Sequence, residues 1–136
     1  VSHFSDYEEG QQAIAMATGG AKAAFETWLA LFTTAPDDAG VGGVEVSGGS
    51  YARVRVFQDG TTVPYWTAIG SLCQNVGAVT WPQATADWGE IEGVAVMDDE
   101  SGGNFRFVMP LTPPFASVVN GQILQWADGV VKVAFD

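Results

Sequence analysis

The residues most densely placed for chemistry in this 136-residue chain lie between Pro36 and Gly49, in "PDDAGVGGVEVSGG". Clustered glycines can turn backbone N–H groups toward an anion, and paired acids on a turn can offer hard oxygen ligands to Ca²⁺. The stretch fits a phosphate cradle poorly. It has no GxxxxGK[ST], its glycines lead into a strand pattern rather than a helix, and Asp37, Asp38 and Glu45 would oppose an anion. Asp37-Asp38 and the acids of "MDDES" (Asp98, Asp99, Glu100) lack the DxDxDG spacing of a dedicated calcium loop. Acids in turns are ordinarily solvated or cap local N–H groups, and that reading is preferred here. The glycines then serve as turn residues that accept positive φ. No metal or cofactor is expected.

Covalent and acid–base catalysis find little to work with. His3 is the single histidine and stands at the extreme N-terminus, where chains are commonly disordered. Cys73 is the single cysteine, so it forms no internal disulfide, and with no cation nearby in sequence it reads as a small core residue. A carboxylate pair of the glycosidase kind is set by space rather than spacing, and any acidic β domain offers candidates. The expectation is a protein without enzymatic activity. The five tryptophans raise a binding role instead. Trp28, Trp81 and Trp126 fall within or at the ends of strand patterns and are expected in the core. Trp66 and Trp88 adjoin turns, where an aromatic face could stack on a sugar or fill a partner's pocket, with burial as the ordinary alternative.

The elements that must position these residues are mostly strands. "SDYE" (Ser5–Glu8) has capping-box spacing and predicts a short helix from about Ser5 to Ala17, ended by Gly19-Gly20, with Phe4, Tyr7 and Ile14 on one docking face. "FETWLALFTT" (Phe25–Thr34) is apolar on both faces and predicts a central strand. In "YARVRVF" the alternation points Val54 and Val56 inward and Arg53 and Arg55 outward. "AVTW" (Ala78–Trp81), "EIEGVAVM" (Glu90–Met97) and "NFRFVMPL" (Asn104–Leu111) predict further strands. "QILQWA" (Gln122–Ala127) and "VVKVAF" (Val130–Phe135) predict a closing hairpin across Asp128-Gly129. The segment Asp59–Val76 lacks steady alternation, and is expected to hold a short extra strand or an excursion onto a neighbour. The fold class that follows is mainly β: a single-domain antiparallel β-sandwich or jelly roll with a short N-terminal helix. Residues 1–20 form a helical arm and 21–136 the sandwich.

Sixteen acids against five bases give a net charge of −11. That field repels phosphate backbones and anionic bilayers, so neither nucleic acid nor membrane is an expected partner. No apolar run approaches the roughly 18 residues of a membrane-spanning helix. The N-terminal "VSHFSDYEEGQQ" is polar and acidic, unlike a signal peptide, and Val1 is read as a GTG start codon written literally. Cytoplasmic synthesis is the simplest reading.

Three segments occur together in order: "LALFTTAPDDAGVGGVEVSGGSYAR" (Leu29–Arg53), "PQATADWGEIEGVAVMDDESGGN" (Pro82–Asn104) and "LTPPFASVVNGQILQWADGVVKVAFD" (Leu111–Asp136). With the opening "SHFSDYEE" they resemble a family of small bacteriophage virion proteins, usually labelled tail-fibre or minor structural proteins. Head-decoration and head-spike-base proteins are looser relatives. The likeness is weakest across Asp59–Val76, where an aromatic stretch replaces a short polar one, and at "VNGQ" (Val119–Gln122). The resemblance implies a sandwich scaffold that works by assembly and brings no catalytic residues. It implies a virion protein made in the host cytoplasm and placed on the capsid surface, as head decoration or the base of a head spike. A tail-fibre or tail-tip subunit is the alternative, and a carbohydrate-binding module for a host surface glycan a third reading. Expected partners are the major capsid protein or spike and fibre subunits, in a homo-oligomer or symmetric array. The contact candidates are the turn Pro36–Gly43 with Asp37 and Asp38, the segment Tyr65–Leu72 with Trp66, Trp88, and the N-terminal helix with His3, Phe4 and Tyr7.

Overall fold

The computed structural model describes residues 3–21 and 24–134. Val1 and Phe135, which figured in the readings of the start codon and the last strand, lie outside the described residues. Among those described the protein is mainly β, with antiparallel sheets and a single short helix.

The helix α1 (Asp6–Thr18) begins where the capping box places it. Ser5 is extended, its Oγ accepts the Glu8 N–H at 3.1 Å, and Asp6, Glu8 and Glu9 complement the dipole of the first turn. Gly19, at φ 68°, ends it in the left-handed conformation. Of the anticipated docking face, Phe4 packs against the core, but the apolar stripe does not continue along the helix. Glu8 and Ser5 are the buried positions, whereas Ile14 is 58% exposed and Tyr7 42% exposed. Polar bonds at the first turn, not an apolar stripe, hold the helix.

The largest sheet runs β1 (His3–Phe4), β9 (Phe105–Val118), β8 (Gly89–Met97), β2 (Thr27–Thr34), with β3 (Val44–Glu45) and β4 (Val54–Val56) both beside β2. The strand apolar on both faces is thus central, paired with β8 from Trp28↔Met97 to Phe32↔Gly93. Two further antiparallel pieces complete the fold: β5 (Tyr65–Ile69), β6 (Leu72–Val76) and β11 (Lys132–Ala134) in one, β7 (Val79–Thr80) and β10 (Gln125–Trp126) in the other. One apolar core joins all three, with Leu29, Leu31, Val56, Ile91 and Val96 meeting Val79, Trp81, Leu124 and Val133. A smaller cluster of Ala30, Phe32, Ala95 and Met97 packs with Trp28 and Phe105. Alternation along β2 sends its odd residues to the first cluster and its even ones to the second.

Several expectations are corrected. The last two strands do not form a hairpin across Asp128-Gly129: Trp126 pairs with Val79, and Val133 with Cys73. The buried Asn75 directs the crossover. Its Nδ2 donates to the carbonyls of Gly77 and Ala127, and its Oδ1 accepts the Val131 N–H at 2.9 Å. The turn itself forms, with the Val130 N–H donating to the Ala127 carbonyl at 3.2 Å, but satisfying the buried amide sends the strands on either side of it to different partners. The segment Asp59–Val76 holds the β5–β6 hairpin, turned at Gly70. Arg53 does not point out to solvent, since its side chain is largely buried in an ion pair with Glu45.

Strand β9 also runs well past its predicted end. Between the pairs Gly93↔Pro110 and Ile91↔Phe115, residues 111–114 stand opposite Glu92 alone. Pro113 and Pro114 occupy this bulge, where no regular ladder needs their missing N–H. The bulge throws the chain outward and shapes the surface described next.

Candidate interaction surface

Two regions gather side chains in ways that bear on function. The first is built around arginines. Arg106, on β9, donates Nη1–H to Glu8 Oε2 at 2.7 Å and Nη2–H to Asp98 Oδ2 at 3.0 Å. Its guanidinium lies 4.0 Å from the Phe25 ring centroid and 4.8 Å from that of Tyr7. Glu8 is fully buried, so this bond ties α1 to the sheet through charge in a dry site, where a lone carboxylate would be costly. Ser5 Oγ also donates to the Phe105 carbonyl. Burial tends to raise the Asp98 carboxyl, but bonds from the Asn104 amide and side chain and from Arg106 outweigh it and hold it below its usual value.

Arg53 makes the second knot. Its Nη2 and Nε donate to the two oxygens of Glu45 at 2.8 and 2.9 Å, and Nη1 donates to the carbonyls of Asp99 and Gly102. Tyr51 donates its hydroxyl to Glu45 at 2.7 Å and accepts the Leu31 N–H at 2.9 Å. Burial, then the bond to Glu45, push the phenol up. Burial would also raise Glu45, yet the bonds from Arg53 and Tyr51 prevail and lower it. The "EVSGGSYAR" stretch is thus a structural knot.

The anticipated contact residues fall in different places. Phe4 packs on Phe107, ring centroids 4.6 Å apart. Asp37 and Asp38 are exposed; the first organises its own loop and the second ties that loop to the start of α1. Asp37 Oδ1 accepts the Val41 N–H, and the Asp38 carbonyl accepts the Asp6 N–H, both at 2.8 Å. That loop lies over the smaller core cluster, with Gly40 facing Phe105 and Gly43 facing Pro36 and Phe32. Tyr65 is half-buried on β5, bridging to Phe57. Trp66 packs against the main core and donates its indole N–H to Thr27 Oγ1 at 2.9 Å. Trp88 is corrected outright. It is only 6% exposed, donates to the Gly49 carbonyl at 3.0 Å, and meets Tyr51 edge-on, so its ring presents no face to a sugar or a partner.

The second region is an open apolar groove of about 650 Å³. Leu111, Pro113 and Pro114 of the β9 bulge line it with Phe115 just beyond, together with Leu72, Val94, Met109, Trp126, Val130 and Lys132. Phe115 and Ala116 continue into an adjoining hollow with Ile123, and Phe115, Ile123 and Val130 are all exposed apolar residues. A contiguous apolar surface of this kind commonly marks an interaction site. Trp126 was expected in the core, and it does touch it while also lining the groove. Leu72 ends the anticipated contact segment Tyr65–Leu72, and the other groove residues were not anticipated. The signal was "TPPF", two prolines interrupting a strand just before a large aromatic residue.

Residues 3–134 match the family model described as Podophage GP4 fiber I protein gp80. No curated protein matches the chain.

Proposed function

The chain belongs to the podophage GP4 fiber I protein gp80 family, a family of phage structural proteins, and from that membership we propose that it is a non-enzymatic subunit of a fibre on the phage particle. The carrying observation is the extent of the match, which takes in nearly the whole chain from residue 3 to residue 134. In this reading the domain works by burying surface against neighbouring virion subunits, and the groove beside Phe115 supplies apolar area for such contact. Reactive chemistry has little support: burial pushes the Cys73 thiol up, away from an activated thiolate. Glu45 and Asp98 are engaged by arginines.

The fibre is preferred to head decoration or a head-spike base because the family's description names a fibre. A glycan-stacking role through Trp66 and Trp88 loses its basis, since one indole is bonded within the domain and the other is buried. Gold-labelled antibody against this protein, imaged on intact particles, tests the placement. Label along the fibres is expected, and label spread over the capsid facets would transfer the protein to the head.

A further inference from the structure

We propose that the groove receives the outer turns of α1 from a second copy of this chain, so that copies associate helix into groove. The proposal rests on the fibre reading and names the partner of the surface described above.

The helix is suited to such a role. Its first turn is fixed by Ser5 and Glu8, but from Gly10 to Ala21 the sequence "GQQAIAMATGGA" carries no charge. Ile14 is exposed, and Met16, at 88%, is almost wholly in solvent. The alanines at 13, 15 and 17 keep the rod slim. Its last turn contains no basic residue, so nothing in α1 itself offsets the partial negative charge of its final carbonyls.

The groove is the complement. Among the described residues its lining is apolar apart from Lys132 and contains no acid. Lys132 stands at its edge, and among the described residues it is the one cation without a carboxylate partner, because Arg53, Arg55 and Arg106 are all paired. A lysine there can meet the final helix carbonyls, for which α1 itself carries no cation. Charge also argues for a second copy over another kind of partner. Two chains of net charge −11 repel wherever acids face one another, and they approach at least cost through two surfaces that carry none. A basic partner would be drawn to the acidic faces and away from the groove. The contact is head to tail, the helix of each copy entering the groove of the next.

Sedimentation of the full chain, taken up to about 1 mM to match the effective concentration in an assembly, tests this. Wild-type protein is expected to associate. Met16→Glu and Val130→Glu should each give monomers with unchanged circular dichroism and, at a dilution where wild type is also monomeric, an unchanged melting temperature, since both side chains are exposed in the single chain. Mixed in equal amounts the two variants should form a one-to-one dimer and nothing larger, because one keeps its groove and the other its helix. A wild-type protein that stays monomeric, variants that associate as wild type does, or a mixture that stays monomeric would each overturn the proposal. Labelling of particles is read separately. Monomers in solution with label on the fibres would remove the helix docking alone, and association with label on the head would remove the fibre placement alone.

Discussion

The surroundings of Arg53 and Arg106 and the groove beside Phe115 use the same small stock of positive charge in opposite ways. In the first region each guanidinium is spent on acids of its own chain: Arg53 on Glu45, Arg106 on Glu8 and Asp98. Arg106 reaches Glu8 and Arg53 reaches the Asp99 and Gly102 carbonyls across long sequence distances, which fastens the N-terminal helix and the 98–104 turn to the sheet. In the groove no acid is present and Lys132 is unpaired among the described residues. One region is closed upon itself and the other is open. In an acidic chain with five bases, the described arginines are engaged within the fold, and the groove stays open and without an acid among the described residues.

That contrast can be broken most forcefully at Arg106. Arg106→Ala removes the ion pairs to the buried Glu8 and to Asp98 and is expected to cost about 3–5 kcal/mol in urea unfolding, with release of α1 visible as lost helical signal. A loss below 1 kcal/mol would mean that the knot is not structural. Next comes Gly49, whose φ is +58° and where a Cβ would stand 2.9 Å from Trp88 Nε1. Gly49→Ala should cost about 2 kcal/mol through a left-handed backbone and a crowded indole, read as a lower melting temperature.

Acid offers a smaller and graded perturbation. Asp98 and Glu45 both titrate lower in the folded chain than when free. Their contribution is therefore complete above the unfolded carboxylate pKa and is lost as pH falls through the folded value. Melting temperature should hold from neutral pH down to about 5 and decline below about 4. Asp98→Asn should make that decline shallower. The smallest effect is expected on the open side: Ile14→Glu should shift stability by no more than about 0.5 kcal/mol. A larger loss would show that the outer helix turns pack on their own domain and would erase the distinction between the regions.

How much was legible varies with distance along the chain. The start of α1 was readable because the cap and its N–H partner are three residues apart, and β2 and β8 because apolar runs announce burial on both faces. That no hairpin forms at Asp128-Gly129 is not legible locally because a turn signal says nothing of Asn75, which bonds the carbonyl of Ala127 and the amide of Val131 from more than 50 residues away in sequence. Arg53 was placed outward by alternation, which cannot see a carboxylate arriving from Glu45. Trp88 was allowed a surface position because it borders a turn, whereas Gly49, distant in sequence, supplies the carbonyl that receives its N–H. The groove was missed because a bulge is a mismatch between two strands and exists in neither alone.

By itself the sequence determined the acidic charge, the helix with its cap, the positions of most strands and the resemblance to phage virion proteins. Each of these depends on residues within a few positions of one another or on the whole composition. Tertiary structure decided which strands pair, which carboxylates hold the arginines, which tryptophans are buried and where an apolar surface stays open. Those outcomes follow from filling one shared core and satisfying every buried polar group at once, and that balance is struck between segments that are neighbours only after folding.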